Sequence, residues 1–306
     1  MSAAPPPFAA ALTTGPLVLD GGLSNQLEAA GHDLTDELWS ARLLAEDPEA
    51  VVRAHLAYYE AGARVVITSS YQATFEGLAR RGVGPEEAAA LLGRSVALAR
   101  EAARRAEARG VTGPLYVAAS AGPYGAMLAD GSEYRGRYGL TVAELERWHR
   151  PRLAALAAAR PDALALETVP DTDEARALLR AVRGLGVPAW LSYSVAGART
   201  RAGQPLEEAF ALAADADEVI AVGVNCCAPE DAGPAVELAA RVTGKPVVVY
   251  PNSGERWDAR ARAWCGPATF TADLVAGWTA AGARLVGGCC RVGPETVAEV
   301  AGRLGA

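Results

Sequence analysis

The 306-residue chain is 51% hydrophobic and 21% charged, a globular balance that excludes extended disorder. Its 36 acids against 29 Lys and Arg leave a net charge of −7 and a pI near 5.2, so no basic excess exists to grip a phosphate backbone and nucleic acid is not an expected partner. Five cysteines, an odd number with the adjacent pairs Cys226-Cys227 and Cys289-Cys290, fit a disulfide framework badly and a reducing, cytoplasmic setting well.

Met1 to Gly15 carries Ala and Pro but no Lys or Arg, unlike the charged start of a signal peptide. No apolar run approaches the roughly 20 residues of a membrane helix. Leu17–Leu19 is the first of eight short β-rich runs and ends in Asp20-Gly21-Gly22; Asp47-Pro48-Glu49 then sets proline at a first helical position with an acid behind it. Val65–Ile67 ends in Thr68-Ser69-Ser70. Gly84-Pro85-Glu86 follows, opening a helix over Glu86–Arg109 in which Leu92, Val96, Ala99, Ala103 and Ala106 step by four and three. Leu115–Ala118 leads to Ser120–Gly125. Ala163–Leu166 leads to Glu167-Thr168, and Asp171 and Glu174 beyond it have capping-box spacing. Ala189–Tyr193 ends at Ser194, and Val219–Val224 at Asn225-Cys226 before the helix start Ala228-Pro229-Glu230. Val247–Tyr250 leads to Asn252–Glu255. Arg284–Val286 leads to Gly287-Gly288-Cys289-Cys290, then to the helix start Gly293-Pro294-Glu295.

Near-continuous apolar runs indicate strands buried on both faces, as in a parallel sheet. Eight strand–helix alternations predict an α/β fold, a (β/α)8 barrel, which typically takes about 250 residues. The rival doubly wound sheet is disfavoured because no Gly-x-Gly-x-x-Gly follows the first strand. With no linker or composition break, one domain over residues 1–306 is expected, its core about 15–304.

In such a barrel the chemistry sits where strands end. Three histidines, His32, His55 and His149, lie far apart and argue against a His-rich metal site. Thiols at the ends of strands 6 and 8, which are near neighbours in a closed barrel, would suit a soft tetrahedral metal, zinc above all. Cys226, Cys289 and Cys290 supply three ligands and leave a fourth position open. Consecutive strand residues point to opposite faces, so both Cys289 and Cys290 reach one ion only if the backbone bends, a freedom expected of Gly287-Gly288. The competing reading is that buried cysteines are small hydrophobes filling a core. Cys265 fits that reading best, and Cys227 contests the ligand role with its neighbour. Zinc on three thiolates is a poor Lewis acid for water but well suited to holding an incoming thiol as thiolate, which implies thiol alkylation. Asp20 and Glu167 are candidate partners for an ammonium group, and the N–H groups of Gly21-Gly22 with the Thr68 hydroxyl for a carboxylate, together a site for an amino acid. A turn or cap role competes for Asp20, and an ion pair with arginine for Glu167. His149 and Trp148 read as core and surface.

The segments Asp20-Gly21-Gly22, Thr68–Thr74, Gly122–Gly125, Asp130–Gly136, Glu167–Pro170, Gly223–Cys226, Tyr250–Glu255 and Gly287–Arg291 run through nearly the whole chain in one order and spacing. As a set they resemble the homocysteine S-methyltransferase family, in its S-methylmethionine-using branch. The resemblance implies a zinc-dependent barrel that methylates homocysteine to methionine, with Cys226, Cys289 and Cys290 as zinc ligands. It further implies that Asp20 and Glu167 bind the homocysteine amino group, that Gly21 and Thr68 contact its carboxylate, that Asn225 also binds the substrate, and that Trp39, Tyr71 and Gln72 line the methyl-donor pocket. The donor expected is a sulfonium, S-methylmethionine ahead of S-adenosylmethionine. Betaine as donor, a non-catalytic zinc- or thiol-binding barrel and a metal-free barrel lyase are the alternatives. The chain ends soon after the eighth helix, without the C-terminal arm of betaine-using relatives, so a monomer is expected.

Overall fold

Runs of Val, Leu, Ile and Ala that are apolar on both faces become eight parallel strands in the computed structural model. It describes residues 6–34, 39–258 and 263–305, with backbone alone at 39–40, 256–258 and 263–264. The strands are β1 (Leu17–Val18), β2 (Val65–Ile67), β3 (Tyr116–Ala121), β4 (Ala163–Val169), β5 (Ala189–Tyr193), β6 (Val219–Asn225), β7 (Val247–Tyr250) and β8 (Ala283–Val286). Their order in the sheet is β1-β8-β7-β6-β5-β4-β3-β2. A bridge from Leu19 to Val65, with hydrogen bonds from Arg64 N to Val18 O (2.7 Å) and Asp20 N to Val65 O (3.0 Å), joins the two outer strands. The sheet thereby curls into the expected (β/α)8 barrel, and β6 and β8 flank β7, which brings their ends together.

The predicted helix starts hold: Pro48–Glu60, Pro85–Ala108, Pro229–Thr243 and Pro294–Leu304 all begin on the proline. One cap differs. Asp171 caps the helix Thr172–Ala181 by accepting from Asp173 N and Glu174 N, but Glu174 does not close the box. Its carboxylate is buried instead between Tyr124 N (2.5 Å) and His149 Nε2 (2.9 Å), so His149 belongs to a buried polar network and not simply to an apolar core. The reciprocal box forms at Thr141 and Glu144, opening Val142–Ala158.

Buried side chains sort by alternate position. Leu164, Leu166, Leu191, Val222, Val224, Val247 and Val249 pack outward under the helices, whereas Tyr116, Ala118, Ala163, Ala165, Trp190, Ala221, Val248, Tyr250 and Leu285 fill the barrel. The narrow interior demands small residues: a Cβ at Gly223 would sit 1.8 Å from Val248 O. A helix that the sequence did not suggest, Phe8–Thr14, closes the end where the strands begin. The Phe8 ring centroid lies 5.1 Å from that of Tyr116 and 6.4 Å from that of Trp190.

Candidate active site

Left-handed kinks at Thr168, Cys226 and Arg291 shape the opposite end. β6 stops at Asn225, whose Oδ1 accepts from Thr168 N (2.7 Å) and the Ser192 hydroxyl (2.8 Å) while Nδ2 donates to Thr168 Oγ1 (2.8 Å). This clamp holds Thr168 at φ +59°, a conformation a β-branched residue adopts at a cost of roughly 1–3 kcal/mol, and fixes the chain directly after Glu167. Cys226 itself sits at φ +49°, its N–H donating to Tyr250 O (3.1 Å) and its carbonyl accepting from Ser194 Oγ (3.0 Å). Asn225 is thus engaged at both ends of its amide with other residues of the barrel.

Beyond β8, Cys289 N donates to Pro251 O (2.8 Å) and Cys290 N to Asn252 Oδ1 (3.1 Å). The glycines before them act differently from the sequence-based expectation. Neither has a left-handed φ; that residue is Arg291, at +66°. A Cβ on Gly287 would come within 2.6 Å of Asp20 O and Leu19 Cβ, and one on Gly288 within 2.2 Å of a Val292 methyl. Close packing, not torsional freedom, requires them.

The outcome is that the Sγ atoms of Cys226, Cys289 and Cys290 lie within 4.8 Å of one another, Cys226 and Cys290 at 3.7 Å. Thiolates about 2.3 Å from a tetrahedral ion stand about 3.8 Å apart, so the spacing fits such an ion. Cys226 is buried and the other two half-buried, which leaves one side open to the mouth. Hydrogen bonds from Cys289 and Cys290 pull the Cys226 thiol well below its ordinary pKa and raise theirs in turn. Cys227, adjacent in sequence, is buried in the outer core. Cys265 lies exposed on the hairpin Arg256–Asp258/Ala263–Cys265.

Asp20 and Glu167 are both buried in the same mouth. Asp20 is neither helix cap nor turn anchor: its Oδ2 accepts from Ile67 N (2.8 Å), and Oδ1 has no partner among the described residues. Burial holds its carboxyl well above the usual carboxylate range, the Ile67 N–H opposes this, and the charge of Glu167 adds to the rise. Glu167 meets no arginine among the described residues. It accepts from the Ser120 hydroxyl and from Tyr250 OH (3.0 Å), and burial pushes its pKa up to about 7. Thr68 Oγ1 donates to Ser70 Oγ (2.7 Å), whose own hydroxyl donates to Ser120 O (2.8 Å), and accepts from Ser120 N (3.0 Å). Gly21 packs so tightly that a Cβ would stand 2.1 Å from Val292 O. Gly22 N already donates to that oxygen (2.9 Å), so its N–H is not free for a carboxylate as expected.

Of the suggested donor-pocket residues, Tyr71 is half-buried and packs its ring against Gly122, whose N–H donates to the Tyr71 carbonyl (3.3 Å). Gln72 is buried, with Nε2 on Ala126 O (3.0 Å) and Oε1 unpaired among the described residues. Trp39 opens the short helix Trp39–Arg42; its side chain lies outside the described residues. Two groups escaped the sequence reading. Tyr134 OH stands 3.0 Å from Cys226 Sγ, and the Arg201 guanidinium lies 5.6 Å above the Tyr134 ring, with Nε on Ser194 Oγ (3.1 Å). Both come from excursions between barrel strands, where no periodicity points to a site.

The family profile for homocysteine S-methyltransferase matches residues 17–304. The chain belongs to the homocysteine S-methyltransferase family. It is 47% identical over 304 residues to homocysteine S-methyltransferase 4 of Zea mays, covering 94% of this chain and 89% of that one. It is 44% identical over 293 residues to the homocysteine S-methyltransferase of Escherichia coli K12, covering 94% of each. Among solved structures, the metallated form of the Escherichia coli homocysteine methyltransferase MmuM superposes with a TM-score of 0.88 at 43% identity, covering 97% of this chain and all of that one. The oxidized form gives 0.86 at 44% identity, covering 94% and 96%. The chain is therefore a methyltransferase whose acceptor is homocysteine. No described helix is long and apolar enough to cross a membrane.

Proposed function

We propose that this enzyme moves a methyl group from a sulfonium donor, S-methylmethionine before S-adenosylmethionine, to the thiol of L-homocysteine, with zinc on Cys226, Cys289 and Cys290. One observation carries the reading: three thiols gathered from β6 and β8, spaced for a tetrahedral ion, open on the same mouth as two buried carboxylates. Zinc, when bound, supplies the acidity that keeps an alkyl thiol, ordinarily of pKa about 8.5, ionised at neutral pH.

The chain's own residues bind and orient. An α-ammonium set by Asp20 and Glu167 relieves the repulsion between them and gives the unpaired Asp20 Oδ1 a partner. Ser120 and Tyr250 hold Glu167 in place, and Asn225 fixes the kink behind it. We assign the homocysteine carboxylate to the Gly21 N–H and to the Thr68 hydroxyl turned from Ser70, and the donor to the side lined by Tyr71, Gln72 and Trp39. Attack of a thiolate on a methylsulfonium turns an anion and a cation into two neutral thioethers, so a site dry enough to disfavour separated charges favours the step. We place the enzyme in the cytoplasm as a monomer.

Competition among S-methylmethionine, S-adenosylmethionine and betaine at equal concentration tests the donor and is expected to rank them in that order. Faster turnover with betaine than with either sulfonium would overturn it. Elemental analysis of the reduced enzyme tests the metal: one zinc per chain is expected, and full activity without zinc refutes the assignment.

A further inference from the structure

Glu133 is a buried acid that the homocysteine site leaves unused. It sits in the short 3-10 turn Ser132–Tyr134, which presses on Gly125 so closely that a Cβ there would stand 2.5 Å from Glu133 N. The same turn delivers Tyr134 OH to Cys226. Glu133 is 4% exposed, and its Oε2 has no hydrogen-bond partner among the described residues. The turn that carries it reaches the thiols through Tyr134, and the Glu133 charge raises the pKa of Tyr71 while that of Cys226 raises its own. Burial pushes its pKa up to about 6, which leaves it ionised at neutral pH and short of a cation among the described residues. At the ring of the neighbouring Tyr134 stands the half-buried guanidinium of Arg201. The turn whose phenol touches Cys226 thus carries a carboxylate and meets a guanidinium.

We propose that Glu133 binds the α-ammonium of the methyl donor and Arg201 its α-carboxylate, a second amino-acid clamp beside the one for homocysteine. The proposal rests on the sulfonium donor argued above. In the transfer, the thiolate lone pair forms the new S–CH3 bond, and the electron pair of the breaking bond stays on the donor sulfur; no proton moves and nothing is oxidised. The sulfonium charge thus vanishes, and a carboxylate against it would bind the ground state better than the transition state and slow the step. The ammonium keeps its charge throughout, so pairing it strengthens binding evenly and appears in KM. That contrast assigns Glu133 to the ammonium end.

The test uses the zinc-loaded enzyme, Glu133→Gln and Arg201→Gln, with S-methylmethionine and with dimethylsulfoniopropionate, which has the sulfonium and the carboxylate but no ammonium. Glu133→Gln is expected to raise the KM for S-methylmethionine about tenfold or more with kcat little changed, and to leave dimethylsulfoniopropionate, the homocysteine KM and zinc content unaltered. Arg201→Gln should weaken both donors. Calorimetric titration of S-methylmethionine into each zinc-loaded protein, without homocysteine, reads the same clamp apart from turnover. Equal loss for both donors in Glu133→Gln, unchanged binding in either variant, or a raised homocysteine KM overturns the clamp. Wild-type enzyme that turns over neither sulfonium overturns instead the donor reading beneath it.

Discussion

The two ends of the barrel are made of opposite materials. The floor is aromatic and aliphatic: Phe8 and Leu12 of the first helix sit on Tyr116 and Trp190, and Tyr116 OH donates to Pro6 O (3.1 Å). The mouth is polar and under strain. Thr168, Cys226 and Arg291 hold left-handed torsions there, and Asp20, Gln72 and Glu133 each keep a buried oxygen unpaired among the described residues. A hydrogen-bond chain runs from one to the other, Trp190 Nε1 to Tyr250 OH (3.1 Å) and Tyr250 OH to Glu167 Oε2 (3.0 Å). The difference teaches a division of labour: apolar burial at the floor stabilises the barrel, while the mouth keeps strained torsions and unpaired polar groups. Substitutions at the mouth should therefore remove function with little loss of fold, and those at the floor the reverse.

The largest effect is expected at the sulfur cluster. Cys226→Ala, Cys289→Ala and Cys290→Ala should each lose the zinc and drop activity to background while circular dichroism still reports a folded barrel. Full zinc content in the Cys289→Ala and Cys290→Ala variants would sink the three-thiolate site.

Glu167→Gln comes next. It keeps shape and the Ser120 and Tyr250 contacts but removes the charge, so the homocysteine KM should rise roughly 10–100-fold with zinc retained. The pH dependence follows from a carboxyl raised from 4.5 to about 7. Folding favours its protonated form, so its contribution to stability is full below about 4.5 and lost as pH rises through about 7. Ammonium binding needs the ionised form, so homocysteine affinity runs the other way and falls below about 7. Unfolding and KM profiles across this range should both flatten in Glu167→Gln; a variant that keeps the wild-type slopes would assign them to another group.

Phe8→Ala tests the floor. Removing a ring buried between Tyr116 and Trp190 should cost about 3 kcal/mol in denaturant unfolding and leave both KM values alone. A shift in kcat comparable with that of a mouth variant would show that the two ends are not independent.

The strands and the proline-led helices were legible in the sequence because burial on both faces leaves continuous Val, Leu and Ala runs, and because N1 proline has a local cause. The same continuity hid which alternate residues face inward, since Leu164 and Ala165 look alike to a pattern. The Phe8–Thr14 helix was hidden too, being an Ala-rich segment with no charged face to give it a period. At the site, Asp20, Glu167 and the cysteines stood out because they follow the ends of apolar runs. Tyr134, Glu133 and Arg201 lie in excursions whose placement depends on tertiary packing, such as that of Ser132–Tyr134 on Gly125. Glu174 shows the limit of a local rule: its spacing from Asp171 suggested a box, and burial against His149 won instead.

The smallest effect belongs to Cys227, and it tests whether adjacency in sequence means adjacency in space. The left-handed torsion at Cys226 interrupts the strand, and Cys227 packs in the apolar shell under the helices, fully buried, while its carbonyl accepts from Asn252 N (2.9 Å). Burial drives its thiol far above the ordinary range, with the charge of Cys226 adding to the rise, so it is a poor candidate for the thiolate a metal requires. It is therefore expected to act as a small hydrophobe that keeps the Cys226 kink packed from behind. Cys227→Ala removes one buried sulfur and should cost about 1 kcal/mol of stability, with zinc stoichiometry and homocysteine KM as in the wild type. Zinc lost from Cys227→Ala but kept in Cys226→Ala would reverse the two roles and show that the kink turns the other way.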